Sequence, residues 1–463
     1  MAFHREVIRP ALGAALLAFL AGCGTLPTIV PDLAPHASRP VQLAGAGGPL
    51  SAQQSKAILA RLESRGAQTS VFDRHLALEE EIVGNPLVVG NKVTLLLDGP
   101  ATFRAMFDAI RGARDHIHME TYIIEDDEVG QKFSDALIAK AAEGVQVSFI
   151  YDSVGAIGAP KEFFRRLAEG GVGVVEYNPV NPLTAKKGWE VNQRDHRKIL
   201  VVDGRTAFVG GINISSVYSG GSFSPSSKQR PGGGPQWRDT DLRVEGPVVA
   251  EFQKLFIATW EKQHGAALAP RAFYPKLAGS GQEVVRAIGS TPDEAFSQMY
   301  ATLISAIGAA ETSVRLTNAY FVPDPQLRAA LMDAAARGVD VQLILPSFSD
   351  SWLVFNAGRS YYAELLQGGV KINERRGALL HSKTALIDGV WSTVGSTNLD
   401  WRSFLYNDEV NAVVLGQEFG ARMQAMFDAD LAASEAITAA DWRRRPLQDR
   451  MKEFAAILLQ HWL

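Results

Sequence analysis

Residues 196–204 read HRKILVVDG and residues 381–389 read HSKTALIDG. Histidine, lysine and aspartate stand at the same offsets in both, and each aspartate runs into glycine. The agreement continues downstream, where Gly210, Gly211 and Asn213 correspond to Gly395, Ser396 and Asn398. Asp-Gly between β-branched apolar runs is a hairpin turn signal. Residues two apart on a strand face one side, so His196 projects with Lys198 and His381 with Lys383. Counted from two-residue turns, His196 lies opposite Gly211 and His381 opposite Ser396. Asn213 and Asn398 then fall two residues further along, on the same face. Imidazole, ammonium and amide groups gathered on one surface suit an anionic, oxygen-rich substrate, for which phosphate is the obvious candidate. Asp203 and Asp388 sit at the turns, supporting the hairpins rather than touching substrate.

Outward from these stretches the chain alternates between strand and helix patterns. Strands are expected at 116–124, 145–152 and 172–178, with helices at 103–114, 130–143 and 161–169. The order repeats with strands at 313–322, 339–346 and 370–374, and helices at 301–310, 326–337 and 361–366. KAAEGVQVSFI (140–150) even resembles AAARGVDVQLI (334–344). An internal duplication with a period of about 190 residues is therefore the main architectural fact. The expected fold is α/β: two tandem α/β/α domains (76–285 and 286–440), each with a mixed, mostly parallel sheet, facing each other across one pseudo-two-fold active site. One more residue recurs. Asp239 stands seven before Gly246 and Glu409 seven before Gly416. A carboxylate there can accept a hydrogen bond from a histidine ring and fix its tautomer. Asp241 competes for the first-half role, but the repeat spacing favours Asp239.

The 463 residues are 46% hydrophobic with a formal charge of -4, which argues against disorder and against a large positive field for duplex nucleic acid. A single cysteine, Cys23, excludes intrachain disulfides and thiolate clusters. It follows Arg5, Arg9, an apolar run from Ala11 to Leu20, and Leu20-Ala21-Gly22, the layout of a secretory signal too short for a bilayer span. The Leu-Ala-Gly-Cys ending resembles a bacterial lipobox. That resemblance implies that 1–23 is a lipoprotein-type signal and Cys23 the lipidation site, with the chain anchored in the cell envelope and facing the periplasm; an ordinary signal cleaved near Ala21 or Gly22, or an uncleaved anchor, is the alternative. Gly24, rather than Asp, leans toward the outer membrane. Residues 24–75, rich in Pro, Ala, Gly and Ser, read as tether and lead-in.

Paired H-x-K-x4-D motifs, each followed by G-G/S-x-N, resemble the phospholipase D superfamily. RDHRKILVVDGRTAFVGGINIS, WRDTDLRVEGPVV, AYFVPD, RSYYAELL and LHSKTALIDG are most similar to bacterial cardiolipin synthases, over roughly residues 90–463. The resemblance implies a catalytic set of His196, Lys198, Asp203, His381, Lys383 and Asp388. One histidine attacks phosphorus and the other serves as acid and then base. Lys198, Lys383, Asn213, Ser396 and Asn398 hold the non-bridging oxygens, and Asp239 and Glu409 orient the rings. By analogy His196 is the nucleophile, although the pseudo-symmetry leaves the reverse assignment open. No cofactor or metal is implied. The implied substrates are phospholipids at a membrane surface: phosphatidylglycerol as acceptor, with a second phosphatidylglycerol or phosphatidylethanolamine as donor. Hydrolysis to phosphatidic acid uses the same residues, and a nuclease is a more distant alternative on this fold. Nucleic acid is not expected as a partner.

His116 and His118, two apart on a strand, read as structural residues rather than metal ligands for want of a third ligand. Glu120 and Tyr122 continue that face toward the site. The Gly/Ser/Pro-rich stretch 219–236 has no counterpart in the second half and reads as a lid or a tolerated insertion. Arg359 and Arg402 are candidates to meet a lipid phosphate or to pair with an acid. The C-terminal segment 441–463 is a basic, amphipathic helix with Phe454, Ile457, Leu458 and Trp462 near one face. It either lies in a membrane interface or packs back on the domain.

Overall fold

The computed structural model describes residues 41–64, 69, 71–181, 189–220 and 235–460. The signal expected at 1–23, with Cys23, and residues 221–234 of the Gly/Ser/Pro-rich stretch lie outside these described residues. Among the described residues, seven longer strands build the first half: β1 Leu87–Leu96, β2 His116–Thr121, β3 Gln146–Asp152, β4 Gly173–Tyr177, β5 Ile199–Val202, β6 Thr206–Gly210 and β7 Asp241–Glu245. The second half repeats them as β8 Glu283–Ser290, β9 Ser313–Asn318, β10 Asp340–Pro346, β11 Lys371–Arg375, β12 Lys383–Ile387, β13 Trp391–Gly395 and β14 Asn407–Leu415. The spatial order is β4-β3-β2-β5-β6-β7-β1 in one half and β11-β10-β9-β12-β13-β14-β8 in the other. Each seven-strand set is mixed, with five strands running one way, and in the second half a further short strand, Ser434–Ile437, pairs antiparallel with the outer edge of β11. β1 and β8 then pair antiparallel and fuse the two into one continuous sheet.

Strand alternation sends each half's apolar residues to two helical layers. In the first half, Phe103, Phe133 and Phe163, on the helices Gly99–Gly112, Glu128–Ala142 and Lys161–Glu169, pack with Ile117, Met119 and Phe149. On the opposite face Phe256 and Trp260 of Val249–Lys262 cover Ile150 and Tyr177. Matching helices share their start signals. Asp127 accepts from Val129 N and Gly130 N, and Asp324 accepts from Gln326 N and Leu327 N. A third core straddles the junction, joining Val88, Val201, Val209 and Leu242 to Val285, Leu386, Val410 and Phe419. Because that core draws on both halves, they are held as one body rather than linked as independent domains.

The tether reading of 24–75 needs correction from residue 41 onward. Leu43–Gly45 is a short strand parallel to the start of β1, and Ala52–Ser64 is a helix. A three-residue strand carries too little periodicity to be read in advance. At the other end Leu447–Ile457 is helical and packs against Trp352–Arg359.

Candidate active site

The site is assembled where the halves exchange short parallel pairings. Arg194-Asp195 pairs with Asn407-Asp408, and Trp237-Arg238 pairs with Leu379-Leu380. His196 N donates to Asp408 O at 2.9 Å, and His381 N donates to Arg238 O at 2.7 Å. The next residue on each strand therefore meets the histidine of the other half. His196 Nδ1 lies 3.0 Å from both Glu409 oxygens, and His381 Nδ1 lies 2.6 Å from Asp239 Oδ2. Repeat spacing identifies both carboxylates without saying which ring each one meets. The structure crosses them, so neither half contains a complete histidine–carboxylate pair. Asp241 stays in the sheet and accepts from Ile212 N at 3.1 Å.

The hairpin register also differs from the count. Asp203 and Gly204 (φ +54° and +61°), like Asp388 and Gly389 (φ +49° and +67°), form left-handed turns as expected of Asp-Gly. One extra residue follows each turn, because Val202 pairs with Thr206 and Ile387 with Trp391. That one-residue shift would turn Asn213 and Asn398 to the wrong face. They reach the cavity because the chain leaves the sheet after Gly210 and Gly395. It bridges instead to the segments beyond β2 and β9, through Ile124–Ile214 and Phe321–Leu399. Gly211 and Ser396 meet the orienting acids rather than the histidines. A Cβ on Gly211 would come within 2.3 Å of the Asp239 carboxylate. The Ser396 hydroxyl donates to Glu409, so it is not presented to phosphate.

Burial controls the electrostatics. It pushes the His196 imidazole down to about 4 against the pull of Glu409, leaving the ring neutral at pH 7. Burial alone would raise Glu409, but the His196 ring and Lys198 bring its carboxyl down to about 2. Lys198 is lowered by burial to about 7, and burial also lowers Lys383 from its ordinary value. His381 is lowered by burial and by Lys383, while Asp239 and Asp350 pull the other way. Lys198 Nζ donates to His196 O at 2.5 Å, and Lys383 Nζ approaches His381 Nδ1 at 2.9 Å, so each ammonium touches the histidine of its own motif.

Both histidines, with Asn213 and Asn398, line one cavity of about 430 Å³. Its two ends differ. Around His196 stand Arg194, Arg402 and Tyr122, whose ring packs edge-on at 5.0 Å. Around His381 stand Trp237, Tyr320 and Asp350, with Tyr320 OH donating to Asp350 at 2.8 Å. Tyr320, Asp350, Trp237, Arg194 and Asn407 were not singled out in the sequence. Tyr122, Tyr320 and Asp350 lie just beyond the carboxyl ends of β2, β9 and β10, where open α/β sheets place ligands, and that position was the available signal.

Other candidates fall elsewhere. His116 Nε2 bonds Gln253 at 3.2 Å, and His118 stacks on Phe256 at 4.4 Å, its basicity pushed down by burial to about 2. Among the described residues no group of His, Cys, Asp or Glu is arranged to hold a metal ion. Glu120 is buried beside Arg197, away from the cavity, with its carboxyl raised by burial to about 7. Arg359 pairs with Glu374 at 2.6 Å, whereas Arg402 lines the cavity and donates to Asn192 O at 3.1 Å.

Asp203 and Asp388 anchor the hairpin turns. Asp203 accepts from the backbone of Arg114, Asp115 and His116, and Asp388 from that of Glu311, Thr312 and Ser313. Asp388→Ala would orphan three backbone donors and remove the acceptor of the Thr69 and Thr312 hydroxyls, and it should cost about 2–4 kcal/mol of stability, read as a lowered urea midpoint at unchanged slope. An unchanged midpoint would show that these bonds contribute nothing.

Two fused α/β/α halves with a crossed histidine–carboxylate pair on each side of one cavity define the two-motif phospholipase D class. The family described as cardiolipin synthase, PLD-like domain, matches residues 106–218 and 303–431. A cardiolipin synthase of a Geobacillus species is 36% identical over 387 residues, covering 83% of this chain and 75% of that one. Cardiolipin synthase A of Pseudomonas aeruginosa is 37% identical over 359 residues, or 77% and 70% of the two chains. The crystal structure of a phosphatidylserine synthase from Haemophilus influenzae shares the fold, with TM-score 0.64 at 14% identity over 83% of this chain and 99% of that one. This chain belongs to the cardiolipin synthase family of phospholipase D-like proteins.

Proposed function

We propose that the chain is a phosphatidyltransferase that makes cardiolipin from phosphatidylglycerol, with a second phosphatidylglycerol or phosphatidylethanolamine as donor. The observation that carries this reading is the pair of carboxylate-held histidines lining one cavity. With Nδ1–H given to Glu409, the neutral His196 ring has its Nε2 lone pair free to attack phosphorus. His381 protonates the departing alcohol oxygen as the phosphorus–oxygen bond breaks, leaving phosphatidyl on His196. The glycerol hydroxyl of phosphatidylglycerol then gives its proton to His381 and attacks, regenerating His196. The unequal ends of the cavity support this assignment. At His381 two carboxylates, Asp239 and Asp350, favour the imidazolium an acid must carry against one lysine, Lys383, whereas at His196 the single carboxylate Glu409 is opposed by both Lys198 and Lys383. Asn213, Asn398 and the two lysines stabilise the charge gathering on the non-bridging oxygens.

No helix among the described residues is long and apolar enough to cross a membrane. The Cys23 lipid anchor and a periplasm-facing place in the envelope, with the outer membrane favoured, are part of the same proposal. The test is incubation of purified protein with phosphatidylglycerol vesicles and lipid mass spectrometry. Cardiolipin with released glycerol is expected, and phosphatidic acid without cardiolipin would replace transfer by hydrolysis.

A pH profile follows from the shifts. His196 must be neutral, so kcat/KM should fall as pH drops through about 4. It should fall again as pH rises toward and through about 7, where Lys198 loses its charge. His381, lowered from its ordinary value, loses its acid proton on the same limb. A flat profile between pH 4 and 8 would contradict this assignment of charges.

A further inference from the structure

The helix Leu447–Ile457 has one face attached and one face bare. Glu453 and Ala456 are buried, and Arg445 pairs with Glu453 at 2.7 Å. On the outer face Leu447, Met451, Phe454 and Leu458 are 71, 65, 65 and 62% exposed. Their spacing places them in one stripe along the helix. Trp352, 52% exposed, opens the adjoining helix Trp352–Arg359. Monomeric proteins rarely leave so many large apolar side chains together in water. Arg443, Arg444 and Arg450 are exposed at the same end. The nearby acids are engaged: Asp449 with Lys452, Glu453 with Arg445, and Asp441 with Thr438. The face is therefore apolar with a cationic border.

Its position links it to the chemistry. The adjoining helix is capped by Ser351 and contains Val354, and both residues line the catalytic cavity next to Asp350. We propose that this face docks on an anionic phospholipid bilayer, sinking the Leu447–Leu458 stripe and Trp352 among the acyl chains so that the cavity mouth opens at headgroup level. The inference rests on the proposed function in taking a bilayer phospholipid as substrate. Apolar side chains supply the insertion energy and the arginines the attraction to anionic headgroups, the pairing that holds amphipathic helices in an interface. The anchor expected at Cys23 would keep the chain near a membrane. This face would orient it.

Hydrogen–deuterium exchange on the full chain tests the docking without relying on activity. Vesicles of phosphatidylglycerol should slow exchange in 447–458 and 352–359, and vesicles of phosphatidylcholine should not. Met451→Glu/Phe454→Glu should abolish that protection. The same variant should lower turnover of vesicle phosphatidylglycerol ~10-fold or more, while turnover of a short-chain phosphatidylglycerol below its micellar concentration stays within about twofold. Absence of protection on anionic vesicles would overturn the proposal. So would protection that grows with protein concentration without lipid, which indicates a second copy on this face. Protection already present without lipid and lost on removal of residues 1–40 would assign the face to the chain's own leading segment. An equal loss of turnover on both lipid forms would place the two side chains in the active site instead. If the unaltered chain turned over neither lipid, the proposed activity would fail while the exchange result still decided docking.

Discussion

His196→Ala and His381→Ala should each lower cardiolipin formation by ~10⁴-fold or more, because each removes a group that makes or breaks a bond to the reacting centre. The two variants should nevertheless differ. From a phosphatidyl ester of p-nitrophenol the nitrophenolate leaves without protonation as His196 takes the phosphorus, so His381→Ala should still release a burst of p-nitrophenolate and trap phosphatidyl on His196. His196→Ala should give no burst. Both rings line the same cavity, so their pseudo-symmetry makes this asymmetry informative. A burst from His196→Ala and none from His381→Ala would reverse the roles, and normal activity in either variant would remove that residue from the reaction.

The second large effect concerns the crossed carboxylates. Glu409→Gln should lower kcat about 10²–10⁴-fold with a smaller change in KM, since an amide no longer favours the tautomer that frees His196 Nε2. Asp239→Asn should act on His381 in the same way. Crossing predicts which pairs couple. Glu409→Ala added to His196→Ala should cost nothing further, because the ring it orients is already gone. If Glu409→Ala instead became silent in the His381→Ala background, each acid would serve the histidine of its own half and the geometry described above would be wrong.

That crossing marks the boundary of what could be read from residue order. The repeat spacing singled out Asp239 and Glu409 without reference to structure, and both meet histidine rings. What spacing could not supply was the partner, since a duplicated motif looks the same whether its halves stack or exchange contacts. The hairpins teach a similar lesson on a smaller scale. Asp-Gly announced the turns, and left-handed backbone at Asp203 and Asp388 fits them. The single extra residue after each turn shifted the register and carried Gly211 and Ser396 to the acids. Asn213 and Asn398 still reached the cavity, though through bridges to distant segments rather than strand alternation. Tyr320, Asp350 and Trp237 had no local signature, because their role comes from lying at strand ends that converge only after folding.

From the linear chain alone came the duplication, the α/β class, the paired His-Lys-Asn groups and the carboxylate in each half. These are properties of period, turn chemistry and residue type, which are local along the backbone. Pairing across the halves, the unequal charge at the two ends of the cavity and the bare apolar face beside its mouth were decided only by tertiary structure. Each depends on which surfaces residues far apart in sequence turn toward one another, and on how deeply they are buried.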